Sequence, residues 1–211
     1  MDGFSLYTSV GPNPRIVRMF ATEKGLSLSE VDVDIGSGEN RRAAYLALNP
    51  AGETPALKCA DGLVLGEATV ICEYLEEVAN LGPSLLGESA AERAVNRMWV
   101  RRIDLKVVQP FTGGFRYGPA LSFFKSRVRC IPQASEDLFE VTRDGLAWIE
   151  DQMDGSPFLT GENLRLSDIV LYCFLDFNAA QVGRPLLAGF RRLPIWFEEI
   201  QARPSAFDTR C

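Results

Sequence analysis

At the start of the chain, the pattern of hydrophobic and polar positions changes between one typical of strands and one typical of helices. Residues 4–8 form a short strand-like run, which the Gly- and Pro-rich segment 11–14 ends. Apolar residues then recur on one helical face between positions 16 and 21. Residues 28–33 alternate again, which predicts a second strand with one buried face. With a weakly helical segment at 39–48, the order predicts a β-α-β unit and a short helix.

An Asp-Gly turn organises the next segment. Asp61 and Gly62 separate apolar runs at 56–59 and 63–65, and this dipeptide supplies the positive φ that a tight hairpin needs. A helix with an apolar inner face is predicted from Glu67 onwards. Strands connected through a helix are parallel, whereas hairpin strands are antiparallel. The pattern therefore predicts a four-stranded mixed sheet with helices on its faces.

The remainder of the chain shows helical patterns without strand patterns of comparable quality. Long helices are predicted at 90–108, 135–153, 167–180 and 193–202. The third of these is apolar nearly all round, so we expect it at the centre of a helical bundle.

The charge distribution supports a domain boundary near residue 80. Of the 22 basic and 28 acidic residues in the chain, residues 1–80 hold 6 and 12, which leaves 16 of each. A turn-rich stretch, Asn80 to Pro83, ends a helical pattern at the same place. We therefore expect an α/β domain at 1–80, a linker at 81–89 and an all-helical domain at 90–211.

Composition excludes several classes of function. A net charge of −6 argues against a nucleic-acid partner, because such proteins need a basic face. The chain has no histidine, which removes Ser-His-Asp and Cys-His mechanisms and His-ligated metals, and we expect no metal site. No signal peptide is recognisable, and the most apolar run, 169–177, is far shorter than the roughly 20 residues of a membrane span. Five cysteines without a CxxC motif indicate a reducing, cytoplasmic compartment.

Three motifs occur in order along the chain. They are NPAGETPAL at 49–57, LGEATVICEYL at 65–75 and FLTGENLRLSDI at 158–169, with the Asp-Gly hairpin between the first two. Together they closely resemble the cytosolic glutathione transferases of bacterial type, over essentially the whole chain. The resemblance implies an α/β plus all-α architecture, in which a thioredoxin-like βαβ-ββα domain precedes a helical bundle domain. It also implies glutathione as co-substrate and a homodimer.

The resemblance assigns glutathione contacts to the α/β domain. Pro55 is cis in the family and leaves the backbone of Thr54 free to pair with the cysteinyl backbone of glutathione. Glu67 matches the acidic residue that binds the γ-glutamyl ammonium. The backbone N–H of Ala68 would bind the α-carboxylate, but the serine hydroxyl of the family is missing here, at a cost of about 1 kcal/mol.

Further contacts are implied at the glycyl end of glutathione and across the dimer. Asn40 and Glu53 match positions that reach the glycyl end. Because Glu53 would repel the glycyl carboxylate, we expect it to face solvent or to pair with Arg41 or Arg42, either of which could instead hold that carboxylate. Asp104 resembles an acidic residue that some members extend across the dimer to the glutamyl amine, and a surface salt bridge is the alternative.

The third motif contains the acidic residue of a helix N-terminal box. In the family this residue, here Asp168, is paired with a Ser or Thr cap three positions earlier. Arg165 occupies that position, so we expect a broken box and a structural role for Asp168.

The residue that would stabilise the glutathione thiolate is not fixed by the resemblance. Gly11 stands where serine-type members have Ser and some thiol-type members have Cys, and it has no side chain. Asn13 matches the amide donor of Nu-type members and is the leading candidate. Ser9 is the second candidate, and Tyr7, at the tyrosine-class position, is the third. The alternative is that no side chain is competent.

Aromatic residues in the helical part suggest where the second substrate binds. Basic residues accompany Phe111, Phe115, Tyr117, Phe123 and Phe124. They suggest an aromatic pocket with a basic rim, suited to a bulky aromatic or acidic co-substrate. Core aromatics beside a solvated face are the alternative.

These features predict an enzyme that uses the glutathione thiolate as nucleophile on a small hydrophobic or aromatic electrophile in detoxification, with disulfide-bond reduction as a related activity. Two other functions stay open. One is a glutathione-binding, catalytically weak carrier or interaction protein, which Gly11 and Ala68 favour. The other is glutathione-dependent β-aryl ether cleavage, because residues 67–75 resemble the same stretch of bacterial ether-cleaving enzymes.

Overall fold

A computed structural model describes residues 3–79 and 81–210, which form two compact units. Within the described residues, the first unit comprises 3–79, 81–88 and 202–210, and the second comprises Ser89–Gln201. Asn80, at the expected boundary, and Cys211 lie outside the described residues.

The first unit contains a four-stranded mixed sheet. Its strands are β1 (Ser5–Thr8), β2 (Ser29–Asp32), β3 (Ala56–Lys58) and β4 (Val64–Leu65). Its first three helices are α1 (Pro12–Glu23), α2 (Ala43–Leu48) and α3 (Ala68–Ala79), with a 3₁₀ turn at Glu39–Arg41. The strand order is β2-β1-β3-β4, with β1 and β2 parallel and the other pairs antiparallel. The predicted mixed sheet is therefore confirmed.

Strand β2 differs from its expected burial. The alternating pattern predicts one buried face, but all four residues of β2 are exposed, and Val31 is 39% accessible. The strand lies at the edge of the sheet, where it has a neighbour on one side only. Val33, one residue past the strand, is the buried position. The buried face predicted for 28–33 is therefore confirmed only at Val33 and is absent from β2 itself, because alternation does not reveal where in a sheet a strand lies.

The second unit is helical. Its helices are α4 (Ala90–Ile103), α5 (Gln109–Tyr117), α6 (Leu121–Phe124), α7 (Ser135–Gln152), α8 (Leu166–Phe177) and α9 (Leu193–Gln201). A π-helical turn at Asp104–Val108 joins α4 to α5, and another, Asn178–Val182, follows α8. Every residue from Leu166 to Leu175 is buried, which confirms the expected central position of α8.

The last helix, α10 (Pro204–Asp208), belongs to the first unit, although the whole of 90–211 was expected to be one helical domain. Two arginines explain the difference. Arg15 of α1 is 3% exposed and donates from Nη2 to the carbonyl of Ala206 at 2.8 Å. Arg203 forms an ion pair with Glu23, also on α1, at 2.7 Å. The C-terminal segment is thus held against α1 by polar contacts that no local pattern announces.

Candidate functional site

The loop between β1 and α1 carries the candidate thiolate donors. Gly11 precedes α1 with a φ of 132°, and a Cβ built there would meet no atom within 4 Å. The space beside Gly11, where the resemblance would place a Ser or Cys side chain, is therefore open. Asn13, in the first turn of α1, is exposed, and its side chain makes no hydrogen bond to any residue that the structure describes. Its amide is thus free to contact a ligand at the positive end of the helix.

Ser9 meets Thr54 beside this helix end. Strands β1 and β3 are antiparallel neighbours with Tyr7 opposite Ala56, so the end of β1 lies next to the start of β3. The Oγ of Ser9 and the Oγ1 of Thr54 are 2.6 Å apart. The Thr54–Pro55 peptide bond is cis, as the resemblance implies. The fold therefore brings together a candidate donor and the residue expected to bind the cysteinyl backbone.

Tyr7 lies within the sheet, and its ring packs on another aromatic ring. It is half-buried, and its ring meets that of Tyr45 edge to face at a centroid distance of 6.3 Å. Such a contact is typical of a packed aromatic side chain. The role of Tyr7 as a thiolate donor stays a prediction.

Glu67 and Ala68 form the start of α3. Glu67 has a φ of 61°, the left-handed region that residues other than Gly rarely adopt, and its side chain is exposed. A backbone of this kind costs about 1–3 kcal/mol and is concentrated at functional sites. Ala68 is the first helical residue and is 7% exposed. The pair presents a carboxylate and a helix N-terminus side by side, which suits an ammonium and a carboxylate on one ligand.

Asn40, expected at the glycyl end of glutathione, holds a loop instead of projecting into solvent. It is 7% exposed, and its Nδ2 donates to the carbonyl of Gly52 at 2.7 Å. Its Oδ1 is buried and has no hydrogen-bond partner among the described residues. Contact between Asn40 and glutathione stays a prediction, since the structure shows its amide engaged with the loop that precedes Thr54.

Two residues outside the set of predicted glutathione contacts support the same loop. The hydroxyl of Tyr45 and the Nδ2 of Asn49 both donate to the carbonyl of Glu53, at 2.7 and 2.8 Å. Burial raises the pKa of Tyr45, which keeps it protonated as a donor. Asn49 begins the first family motif and was therefore within reach of sequence reasoning. Tyr45 gave no signal beyond an aromatic residue in a short helix.

The side chain of Glu53 is exposed, in agreement with the expectation that it faces solvent. Arg41 and Arg42 are exposed as well, and Arg42 donates to the Oγ of Ser37 at 3.3 Å. Within the part of the chain that the structure describes, neither arginine forms an ion pair with Glu53.

In the second unit, Asp104 takes part in a surface network. It accepts from Nη1 of Arg101 at 2.7 Å and from Nε2 of Gln109 at 2.9 Å. The structure therefore shows the salt bridge that was the alternative role of Asp104. Its contact with glutathione across a dimer stays a prediction.

The aromatic residues divide between core and surface. Phe111 is 2% exposed and packs on the rings of Phe139, Phe174 and Phe177, so it is a core residue. The remaining candidates, Phe115, Tyr117, Phe123 and Phe124, are half-buried. The guanidinium of Arg116 lies 5.3 Å from the Phe124 ring centroid, and that of Arg127 lies 3.8 Å from the Phe123 ring centroid. A basic fringe on half-buried aromatic rings is therefore present in the second unit.

Asp168 retains half of the box that was expected to be broken. Its Oδ2 accepts from the backbone N–H of Arg165 at 3.0 Å, although the Arg165 side chain can accept nothing in return. Its Oδ1 accepts from the N–H of Leu159 at 2.8 Å and from Nε1 of Trp196 at 2.9 Å. Burial raises its pKa to about 6, since these donors only partly offset the loss of hydration. Asp168 is a structural residue in the middle of the helical unit.

The first unit is thioredoxin-like and has a cis-proline loop, and a helical unit follows it in sequence. This is the order of domains that the resemblance to the glutathione transferases implies. The family model for the glutathione S-transferase N-terminal domain matches residues 10–78, and that for the C-terminal domain matches residues 121–204. The chain therefore belongs to the cytosolic glutathione S-transferase family and is a glutathione transferase.

Individual relatives are similar in sequence to this chain over most of its length. Glutathione S-transferase 2 of Saccharomyces cerevisiae is 27% identical over 205 residues, which cover 94% of this chain and 85% of that protein. The disulfide-bond oxidoreductase YfcG of Escherichia coli is 29% identical over 210 residues, covering 95% and 91%. The crystal structure of a glutathione S-transferase domain-containing protein from Marinobacter aquaeolei is 31% identical, with a TM-score of 0.83 and coverage of 95% and 98%.

Proposed function

We propose that this chain binds glutathione in its first unit and uses the thiolate as a nucleophile on a hydrophobic or aromatic electrophile. The observation that carries the proposal is the approach of Ser9 to Thr54 at 2.6 Å, next to the N-terminus of α1, which no side chain caps. The cysteinyl backbone would pair with Thr54 ahead of Pro55. The glutamyl end would lie against Glu67 and the first N–H groups of α3.

The chemical task of such a site is to keep the cysteinyl sulfur ionised. A free thiol titrates near 8.5, and every unit of decrease in pKa needs about 1.4 kcal/mol of preferential stabilisation of the anion. The positive end of α1 supplies part of this. Asn13 and Ser9 are the side chains that lie beside that end, and each could add one hydrogen bond to the sulfur. The thiolate then attacks the electrophilic carbon, a C–S bond forms and the leaving group departs with its electron pair.

Affinity for glutathione is expected to be moderate. Ala68 lacks the hydroxyl that other members place at this position, and one hydrogen bond of about 1 kcal/mol corresponds to about fivefold in Kd. The carboxylate of Glu67 and the helix N-terminus remain to bind the glutamyl end.

Disulfide-bond reduction is a second candidate activity, favoured by the likeness to YfcG, whose name states that activity. The bound thiolate would attack one sulfur of a disulfide, form a mixed disulfide and release the other sulfur as a thiolate. A second glutathione would then resolve the mixed disulfide to oxidised glutathione. No enzyme cysteine is needed, and of the four described cysteines three are buried and Cys130 is half-buried.

The electrophile and the assembly are part of the same proposal. The half-buried rings fringed by Arg116 and Arg127 suit an aromatic or acidic co-substrate. We also propose a homodimer and a cytoplasmic location, in line with the family. Among the described residues, no helix combines the length and the apolar character needed to cross a bilayer.

Calorimetric titration with reduced glutathione at several pH values tests the proposal. We expect binding with release of about one proton per site near neutral pH, and S-methyl glutathione, which has no thiol proton, as the control without release. Asn13→Ala should retain binding and lose turnover, while Asn163→Ala, at an exposed loop position, should change neither. Binding without proton release would support the carrier, and absence of binding would refute the proposed site.

A further inference from the structure

The side chains of Ser9 and Thr54 form a hydroxyl pair at the edge of the proposed glutathione site. They are separated by 45 residues in sequence, yet their oxygens are 2.6 Å apart, at the short end of the O–H···O range. The register of β1 against β3 creates this contact, because Tyr7 faces Ala56. Both residues are half-buried.

A hydroxyl has one proton to donate and two lone pairs to accept, and this limits what the pair can do. If Ser9 donates to Thr54, or to the carbonyl of Val10 at 3.4 Å, it has no proton left for a sulfur. If Thr54 donates to Ser9, the Ser9 proton is free to point elsewhere. Within the described residues, Thr54 has no other side-chain partner that would compete for its proton.

We propose that Thr54 is a positioning residue, whose hydroxyl donates to Ser9 and thereby turns the Ser9 proton toward the thiolate of bound glutathione. The inference rests on the proposed function, which pairs the Thr54 backbone with the cysteinyl residue of the same ligand. The proposed chain of hydrogen bonds runs from the Thr54 hydroxyl to the Ser9 hydroxyl and from there to the sulfur anion. Each donor in such a chain polarises the next, which strengthens the bond to the sulfur.

Proton balance is simple in this arrangement. The thiol proton passes to bulk water when glutathione ionises, and both hydroxyls keep their own protons. Thr54 touches Ser9 and not the sulfur, so its side chain acts through Ser9. The Ser9 hydroxyl is the group that touches the reacting atom.

The substitution Thr54→Val removes the hydroxyl and keeps the shape of the side chain. Because the hydrogen bond from Ser9 to the thiolate is weakened, the thiol pKa of bound glutathione should rise by about 0.7. At a pH below that pKa, this is about a fivefold loss of thiolate. Affinity for S-methyl glutathione should stay within about twofold, since the backbone of residue 54 is intact. Thr54→Ser restores a hydroxyl and should restore the thiol pKa. Thr22→Val, which removes a hydroxyl from the exposed side of α1, is the matched control and should change neither quantity.

A double-variant cycle separates positioning from packing. Ultraviolet absorbance of the thiolate, followed against pH in each complex, gives the thiol pKa for the wild type, Ser9→Ala, Thr54→Val and the double variant. We expect Ser9→Ala to raise the pKa and the added Thr54→Val to raise it no further. The proposal is overturned if Thr54→Val leaves the pKa unchanged, if the two effects add, or if Ser9→Ala has no effect. If the wild type fails to bind S-methyl glutathione at all, the proposed function itself is refuted, and this role is refuted with it.

Discussion

The carboxyl group of Asp168 should give this protein an unusual dependence of stability on pH. It is fully buried and accepts three hydrogen bonds, from the N–H of Leu159, the N–H of Arg165 and Nε1 of Trp196. Burial nevertheless raises its pKa from 3.8 to about 6 in the folded protein. Between these two values the folded state keeps a proton that the unfolded state has lost.

The sign and the size of the effect follow from proton linkage. A group that binds its proton more tightly in the folded state contributes stability that is complete below pH 3.8 and is lost as the pH rises to about 6. Each pH unit in that window is worth about 1.4 kcal/mol, so the loss sums to about 3 kcal/mol. Most partnered carboxylates show the opposite slope, because pairing lowers their pKa.

The substitution Asp168→Asn isolates this contribution, since the amide does not titrate. At every pH the variant loses at least one acceptor for a buried N–H, which costs about 1–3 kcal/mol. Urea unfolding from pH 4 to pH 7, followed by tryptophan fluorescence, should therefore show the destabilisation shrinking by about 3 kcal/mol as the pH rises. Glu162→Gln, at an exposed position in the same motif, should give no such trend. A destabilisation that grows with pH would show that the three donors outweigh burial, and a constant one would show that they balance it; either result refutes the raised pKa.

Three further predictions concern interactions within single units, and urea unfolding measures each of them. Lys24→Met should cost about 3 kcal/mol, because Lys24 is buried and pairs with Glu76 at 3.1 Å; replacing both residues by apolar ones should cost less than the single change. Gly145→Ala should destabilise by more than about 1 kcal/mol, because the new Cβ would collide with a backbone carbonyl of the π-helical turn. Helix propensity alone would favour Ala by about 1 kcal/mol, so a gain in stability would contradict this packing. Burial alone would raise the pKa of Glu23, but hydrogen bonds such as that from Arg203 hold the pKa below 4.5. The destabilisation caused by Glu23→Gln should therefore be largest at neutral pH and vanish in acid, which is the reverse of the trend at Asp168.

Local patterns in the sequence were sufficient to predict the architecture of each unit. The Asp61-Gly62 hairpin and the helix-connected strands require a mixed sheet, and the unbroken apolar character of α8 requires a central helix. Burial of β2 could not be predicted in this way. Alternation states which residues share a face, whereas the position of a strand at the sheet edge depends on the partners of every other strand.

Long-range contacts account for what the sequence left undetermined. The attachment of α10 to the first unit depends on Arg15 and on the pairing of Arg203 with Glu23, 180 residues apart. The same holds within the candidate site, where motifs located Thr54 and Pro55 but not the Ser9 contact. That contact exists because of the register between two strands, and register is decided by the sheet as a whole.

The two missing side chains, at Gly11 and Ala68, act on different parts of the proposed reaction. In the proposed reaction, the absence of a hydroxyl at Ala68 should weaken glutathione binding in the ground state and in the transition state alike, which is expected to raise KM and leave kcat unchanged. In the same proposal, Gly11 offers no side-chain donor to the sulfur, so the thiolate would depend on donors placed before and after Gly11 along the chain. A donor that contacts the sulfur affects the pKa of the nucleophile, and this determines the fraction of bound glutathione that is reactive at neutral pH. The Ser9–Thr54 pair should therefore influence kcat at low pH more than KM, whereas Ala68→Ser should lower KM without altering the pH profile.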